Sequence, residues 1–167
     1  MAFDSWLFVW FFVLVFATSW SLVRFPAIRV IVLLIASWTF YATWNVLLLS
    51  LIVFSTLLDF VVGLALDRTQ HEGWRRFWLS LSLGANLGLL SIFKYADFFS
   101  ASASVAAQAL GLPIDIPMID LMLPVGISFY TFQTMSYTID IYRRRLKPTR
   151  NLLQFALFVS FFPQLVA

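Results

Sequence analysis

Val46-Leu-Leu-Leu-Ser-Leu-Ile-Val-Phe-Ser-Thr-Leu-Leu-Asp-Phe-Val-Val-Gly-Leu-Ala-Leu66 decides the fold. Asp59 is its one ionisable residue. Roughly 20 apolar residues, rising about 1.5 Å each, cross a hydrocarbon core about 30 Å thick. The run therefore predicts a helix whose solvent is lipid. Composition agrees. Of 167 residues, 62% are hydrophobic and 11% charged, where a soluble domain carries about 25% charged residues. Nineteen Phe and seven Trp would leave a water-facing globule with an apolar surface nearly everywhere. The expected fold class is all-α, a polytopic transmembrane helix bundle of about six membrane segments.

Working outward, five further segments emerge. They run from Trp6 to Val23, from Ala27 to Phe40 or Tyr41 (a short one), from Phe77 to Phe93, from Leu121 to Tyr142, and onward from about Leu152. Ala101–Leu112, rich in Ala and Ser, reads equally as an interfacial helix or a loop. The first run has no Lys or Arg before it and no small-residue cleavage site after it, so it reads as a retained helix rather than a secretory signal. No internal repeat or flexible linker interrupts the series.

Ten of the eleven Lys and Arg residues fall in alternate connections. Arg24 and Arg29 lie between the first and second segments, and Arg68, Arg75 and Arg76 between the third and fourth. Arg143, Arg144, Arg145, Lys147 and Arg150 lie between the fifth and sixth. Cytoplasmic loops collect such residues, which predicts an extracytoplasmic N-terminus. Trp6, Trp10, Tyr41, Trp44, Trp74 and Trp78 fall near segment ends, where amphipathic rings favour the headgroup layer.

Several chemistries are excluded. Without cysteine there is no disulfide, thiolate metal site or cysteine nucleophile. His71, the one histidine, sits in a charged loop and reads as a solvated residue, so no metal site is expected. No nucleophile elbow, phosphate loop or dinucleotide fingerprint is present. The net charge of +3 comes from helix-end residues without a base-stacking motif, so nucleic acid is not an expected partner.

The informative residues are those that lipid disfavours. Asp59, with Ser55 and Gly63 four residues to either side, reads either as a functional carboxyl or as a paired group locking two helices. Asn86 needs an interhelical hydrogen-bond partner. Ser80, Gly84 and Gly88 recur every four residues and predict close approach of another helix. In the fifth segment, Pro124 and Gly126 disturb the first turn. Gly126, Tyr130, Gln133, Tyr137 and Asp140 then follow at helical spacing and gather on one face. That stripe reads either as the lining of a path for a polar substrate or as a hydrogen-bonded helix seam. Asp140, beside Tyr142 and Arg143, is also placed for a charge pair.

The stretch Leu123-Pro-Val-Gly-Ile-Ser-Phe-Tyr-Thr-Phe-Gln-Thr-Met-Ser-Tyr-Thr-Ile-Asp-Ile-Tyr-Arg143 resembles a signature of the membrane-bound O-acyltransferase family. It is most similar to the alginate O-acetyltransferase branch, and next to the D-alanyl transfer proteins of teichoic acid. Phe40-Tyr-Ala-Thr-Trp-Asn45, Phe93-Lys-Tyr-Ala-Asp-Phe-Phe99 and Phe155-Ala-Leu-Phe-Val-Ser-Phe-Phe-Pro-Gln-Leu-Val-Ala167 resemble that branch too, in the family's order.

The resemblance implies transfer of an acyl group, expected to be acetyl, to a hydroxyl of an extracytoplasmic polysaccharide such as alginate. The donor is expected to be acetyl-CoA or another activated acetyl carrier, acting as substrate, with no bound cofactor. Expected partners are the lipid bilayer, the remaining C-terminal part of the same protein and periplasmic polysaccharide-acetylation proteins. The expected location is the bacterial inner membrane.

Leu152–Ala167 stays apolar to its last residue, so the chain is expected to be the N-terminal part of a single membrane domain. The family's catalytic histidine belongs to the part beyond. No catalytic residue is assigned within these residues, and the piece alone is expected to be inactive. Tyr130, Gln133, Tyr137 and Asp140 are the candidates for lining or bracing the substrate tunnel. The rival class is a noncatalytic transport or scaffold subunit.

Overall fold

A computed structural model describes residues 5–43, 45–109 and 126–166. Seven helices account for most of them: α1 (Trp6–Ser21), α2 (Pro26–Ala42), α3 (Val46–Arg68), α4 (Glu72–Ala109), α5 (Ile127–Tyr142), α6 (Leu152–Ser160) and α7 (Phe162–Val166). The protein is an all-α membrane helix bundle. Leu49–Arg68 and Glu72–Tyr95 are each long and apolar enough to cross a membrane; α1, α2 and Leu152–Gln164 are shorter apolar helices.

Local chemistry sets the boundaries. The Ser5 hydroxyl accepts from Phe8 N–H at 3.2 Å and starts α1. Pro26 opens α2, where its missing N–H costs nothing. Asn45 caps α3 by accepting from Leu47 N–H at 2.8 Å. Asn151 caps α6 by accepting from Leu153 and Gln154 N–H at 3.0 and 3.2 Å. Such caps satisfy donors that a helix start leaves orphaned, a need that is most acute where water is scarce.

Two boundaries depart from the sequence expectation. The fourth segment does not stop at Phe93. It runs from Glu72 to Ala109 as one 38-residue helix, roughly 57 Å long at 1.5 Å per residue. Residues 101–109, read as loop or interfacial helix, are its continuation. Their Ala content favours helix, and no Gly or Pro interrupts them. The sixth segment instead breaks at Phe161, where ψ is 106°, into α6 and α7. Pro124 and the expected first turn of the fifth segment lie outside the described residues, as does Trp44; the described part of that helix begins at Ile127, after Gly126.

The bundle is packed around α3. Phe40, Ile52, Val62, Leu66, Ile127, Tyr130, Phe155, Val159 and Phe162 form one buried apolar cluster. Its exterior is also apolar: Trp6, Trp10, Leu14, Phe16 and Trp20 on α1 are all more than half exposed. Such a surface suits lipid and is untenable in water.

Cross-helix bonds fix directions. The indole N–H of Trp38 donates to the Ser160 hydroxyl at 3.2 Å, and Phe162 N–H donates to the Ser37 hydroxyl at 3.3 Å. These two contacts seat the C-terminal half of α2 against the end of α6 and the start of α7. Arg75 joins the ends of α3 and α5 to the start of α4, as described below. The basic connections after α3 and after α5 are thereby brought together at one end of the bundle.

Among the described residues, Ser80, Gly84 and Gly88 do not make the close helix contact that their spacing predicts. A Cβ added at Gly84 or Gly88 would meet nothing within 4 Å. α4 turns Ser82 and Asn86 inward instead. The close approach occurs at Gly63, where an added Cβ would lie 3.2 Å from Ile141 Cδ1 and 3.2 Å from Tyr137 Cε1.

Candidate functional site

Asp59 and Asn86, the two buried polar candidates, meet. The Asn86 amide donates to Asp59 Oδ2 at 2.8 Å and to Oδ1 at 3.1 Å. The Ser82 hydroxyl donates to Asp59 Oδ1 at 2.6 Å, and the Thr138 hydroxyl lies 3.3 Å from Ser82 Oγ. The Ser55 hydroxyl donates to Asn86 Oδ1 at 2.5 Å. Three helices contribute: Ser55 and Asp59 from α3, Ser82 and Asn86 from α4, Thr138 from α5.

Asp59, Ser55, Ser82 and Thr138 have no exposed surface, and Asn86 has 1%. A carboxyl at membrane depth is costly unless its oxygens are satisfied. Here both oxygens are. The arrangement chemically favours one register of three helices, because a one-turn slip would strand every donor.

The α5 stripe divides. Tyr130 and Tyr137 are buried, while Gln133 and Asp140 are half-buried. Gln133 Nε2 donates to the carbonyl of Phe158 at 2.9 Å. In an unbroken α6 that carbonyl would receive Phe162 N–H, but Phe162 N–H goes to Ser37. Gln133 and Ser37 thus satisfy two of the groups that the break at Phe161 releases. Gln133 Oε1 is buried without a hydrogen-bond partner among the described residues, as is the Tyr41 hydroxyl.

Tyr137 packs its ring on Phe155, with centroids 4.6 Å apart. Its hydroxyl accepts from Thr149 N–H at 3.2 Å. Tyr137 also lines a cavity of ≈ 260 Å³ with Gln154, Phe155 and Phe158. Asp140 acts through its backbone, whose carbonyl accepts from Arg145 and Leu146 N–H at 2.9 and 3.3 Å. Its carboxylate forms no ion pair among the described residues, so the expected charge pair with the neighbouring arginines is not made.

Arg75 carries a role beyond the topology count. It is 3% exposed. Nη1 donates to the carbonyls of Leu66 and Thr69 at 2.5 and 3.2 Å, and Nη2 to those of Ile141 and Tyr142 at 3.3 and 2.7 Å. One guanidinium thereby caps the C-terminal ends of α3 and α5, where the helix dipoles favour a cation. Its carbon lies 5.5 Å from the Tyr142 ring centroid. Beside it a polar cavity of ≈ 170 Å³ is lined by Asp67, Gln70, Arg75, Arg144 and Lys147, among others.

The α5 end is a Schellman turn. Arg144 N–H donates to Ile141 O at 3.0 Å and Arg145 N–H to Asp140 O at 2.9 Å. Arg144 takes the left-handed position with φ 59°. His71, read as a loop residue, is exposed, and its Nδ1 accepts from Gly73 N–H at 3.2 Å.

Ser82, Thr138 and the clamp at Arg75 went unnoticed in the sequence. Ser82 and Asn86 stand four apart on one face of α4, and Thr131, Thr134 and Thr138 form a second polar row on α5. These rows were the available signal for the seam. The clamp had none, since it depends on two helix ends far apart in sequence.

Known proteins similar to this chain carry acetyl-transfer names. A Pseudomonas putida protein named "Probable alginate O-acetylase AlgI" is 39% identical over 171 aligned residues, covering 100% of this chain and 34% of its own length. An Azotobacter vinelandii protein of the same name is 37% identical over 100% of this chain and 33% of its own length. A Helicobacter pylori protein named "Peptidoglycan O-acetyltransferase" is 36% identical over 81% of this chain and 29% of its own length. The chain spans about a third of the length of these curated relatives. No protein-family model matches it, and no solved structure does.

Proposed function

The chain belongs to the membrane-bound O-acyltransferase family, and from that premise we propose that it is the N-terminal part of a membrane O-acetyltransferase acting on an extracytoplasmic polysaccharide. The observation that carries this reading is identity of 34–39% over the whole chain with proteins named as alginate O-acetylases. In the reaction, a hydroxyl oxygen of the polymer attacks the carbonyl carbon of an activated acetyl group, the acyl–carrier bond breaks, and the hydroxyl proton passes to a general base. We assign that base to the remainder of the protein and not to these residues. The donor is acetyl-CoA or another activated acetyl carrier. The protein sits in the bacterial inner membrane, with its N-terminus outside and its basic connections in the cytoplasm. Periplasmic polysaccharide-acetylation proteins complete the pathway.

In this proposal the bundle is wall and scaffold. Tyr130, Gln133, Tyr137 and Asp140 brace that wall. Two of their contacts support bracing: Gln133 bonds to Phe158, and Tyr137 accepts from Thr149. Asp59 and Asn86 hold α3 to α4 beneath it.

The test is a chimera. The 167 residues replace the matching third of the Pseudomonas putida relative in a strain lacking that gene, and polymer acetylation is measured. Restored acetylation is expected, with loss in chimeras carrying Gln133→Leu. A chimera that inserts at normal levels yet leaves the polymer unacetylated would instead favour the noncatalytic scaffold or transport class.

A further inference from the structure

A groove opens between α1, α2 and the break after α6. Phe12 and Phe16 of α1, Leu33 of α2 and Phe162 of α7 line it; the cavity measures ≈ 220 Å³. Phe161 and Pro163, where the chain leaves helical geometry after α6, also line it. Most of the lining is apolar. The polar part is confined to one end, where Ser19 and Arg29 lie.

Arg29 is held in place there. Its Nε–H donates to the Ser19 hydroxyl at 2.9 Å, and Ser19 is itself 8% exposed. Neither terminal nitrogen of the guanidinium has a hydrogen-bond partner among the described residues. Four N–H donors therefore remain in the planar fork that matches phosphate oxygens in pairs. Arg29 stands three residues into α2, about 4.5 Å along the helix from Pro26, at the basic end of the bundle. Leu33 lies one turn deeper, and Phe12 and Phe162 deeper still. Arg24 adds a second positive charge to the same connection. The acidic residues Asp67 and Glu72 belong to α3 and α4.

We propose that this groove binds one anionic glycerophospholipid, its phosphate on Arg29 and an acyl chain laid along Phe12, Phe16, Leu33 and Phe162. The order of the parts matches that ligand. A fixed cation stands at headgroup depth, and an apolar slot runs from it toward the bilayer centre. The charge of the connection selects an anionic lipid over a zwitterionic one.

The test uses the 167-residue chain purified in detergent and exposed to mixed micelles of dioleoyl phosphatidylglycerol or dioleoyl phosphatidylcholine. Native mass spectrometry reads the lipid retained, and circular dichroism checks helicity. Retention of one phosphatidylglycerol in preference to phosphatidylcholine is expected. Arg29→Gln is expected to lower that retention about tenfold, as loss of a charge-assisted bidentate contact implies. Arg24→Gln, which changes the charge equally, is expected to change it less than twofold. Leu33→Trp, which fills the slot and spares Arg29, is expected to match Arg29→Gln. Equal loss in Arg24→Gln and Arg29→Gln would reduce the effect to general attraction, and so overturn the proposal. Equal retention of the two lipids, or none of either, would overturn it as well. Arg29 is exposed, so its substitution decides the matter even where Leu33→Trp unfolds the chain.

Discussion

Gln133 on α5 donates to the Phe158 carbonyl that the break in α6 sets free. The bond replaces one that an uninterrupted helix would have made for itself. In lipid no water can step in. Gln133→Leu is therefore expected to destabilise the chain by about 1–3 kcal/mol, the usual cost of an acceptor stranded away from water. Gln133→Met, which keeps the size but loses the donor, should cost about as much. Unfolding in mixed micelles measures both. Loss below about 0.5 kcal/mol in each would mean that Phe158 finds another donor. Hydrogen exchange should rise at residues 159–164 before it rises elsewhere.

The pairing of Asp59 with Asn86 yields a prediction about coupling. Asn86→Leu strips the carboxyl of the amide that reaches both of its oxygens. Asp59→Leu strips the amide and the Ser82 hydroxyl of their acceptor. Each single change leaves a polar group short of a partner, whereas the double change removes both groups. Interhelical hydrogen bonds in membranes average about 0.6 kcal/mol and reach about 1.7. The double variant is expected to fall short of the summed single losses by about 1 kcal/mol or more. Strict additivity in a double-mutant cycle would dissolve the seam as a unit.

Arg75 and Arg76 are neighbours with opposite environments: Arg75 is buried against four carbonyls, and Arg76 is exposed. Lysine has one nitrogen and cannot reach two helix ends at once. Arg75→Lys is expected to cost about 2 kcal/mol. Arg76→Lys should stay within about 0.5 kcal/mol. Equal effects in thermal unfolding would remove the clamp from the account.

What was legible in the sequence was whatever depends on solvent and on neighbours along the chain. Hydrophobic length placed the helices, and the spacing of Tyr130 and Tyr137 put both on a buried face of α5. The start of α6 near Leu152 followed from polarity. Three-dimensional reciprocity was not legible. Asp59 and Asn86 each needed a partner, but nothing local said that each was the other's. The break at Phe161 was hidden for a related reason: Pro163 marks a weak point, yet Ser37 and Gln133, both remote in sequence, are what make it tolerable. The reach of α4 to Ala109 escaped because its second half is less apolar, while helix propensity alone carries it onward.

The glycines give the sharpest contrast between spacing and contact. Gly84 and Gly88 follow a small-residue pattern, but a methyl at either meets nothing within 4 Å. Gly63 belongs to no such pattern, yet a methyl there presses on Tyr137 and Ile141 at 3.2 Å. Helix propensity favours Ala over Gly by about 1 kcal/mol. Gly84→Ala and Gly88→Ala are therefore expected to leave the chain as stable or up to about 1 kcal/mol more stable. Gly63→Ala requires the Tyr137 ring and the Ile141 methyl to give by a few tenths of an ångström, which offsets the propensity gain. Gly63→Val adds two more carbons to the same contact and should cost about 1–3 kcal/mol. It should also loosen the Asp59 seam one turn away. Thermal unfolding of the four variants in one detergent ranks them. If Gly84→Ala proved as damaging as Gly63→Val, the packed face of α4 would have to be the small-residue face after all.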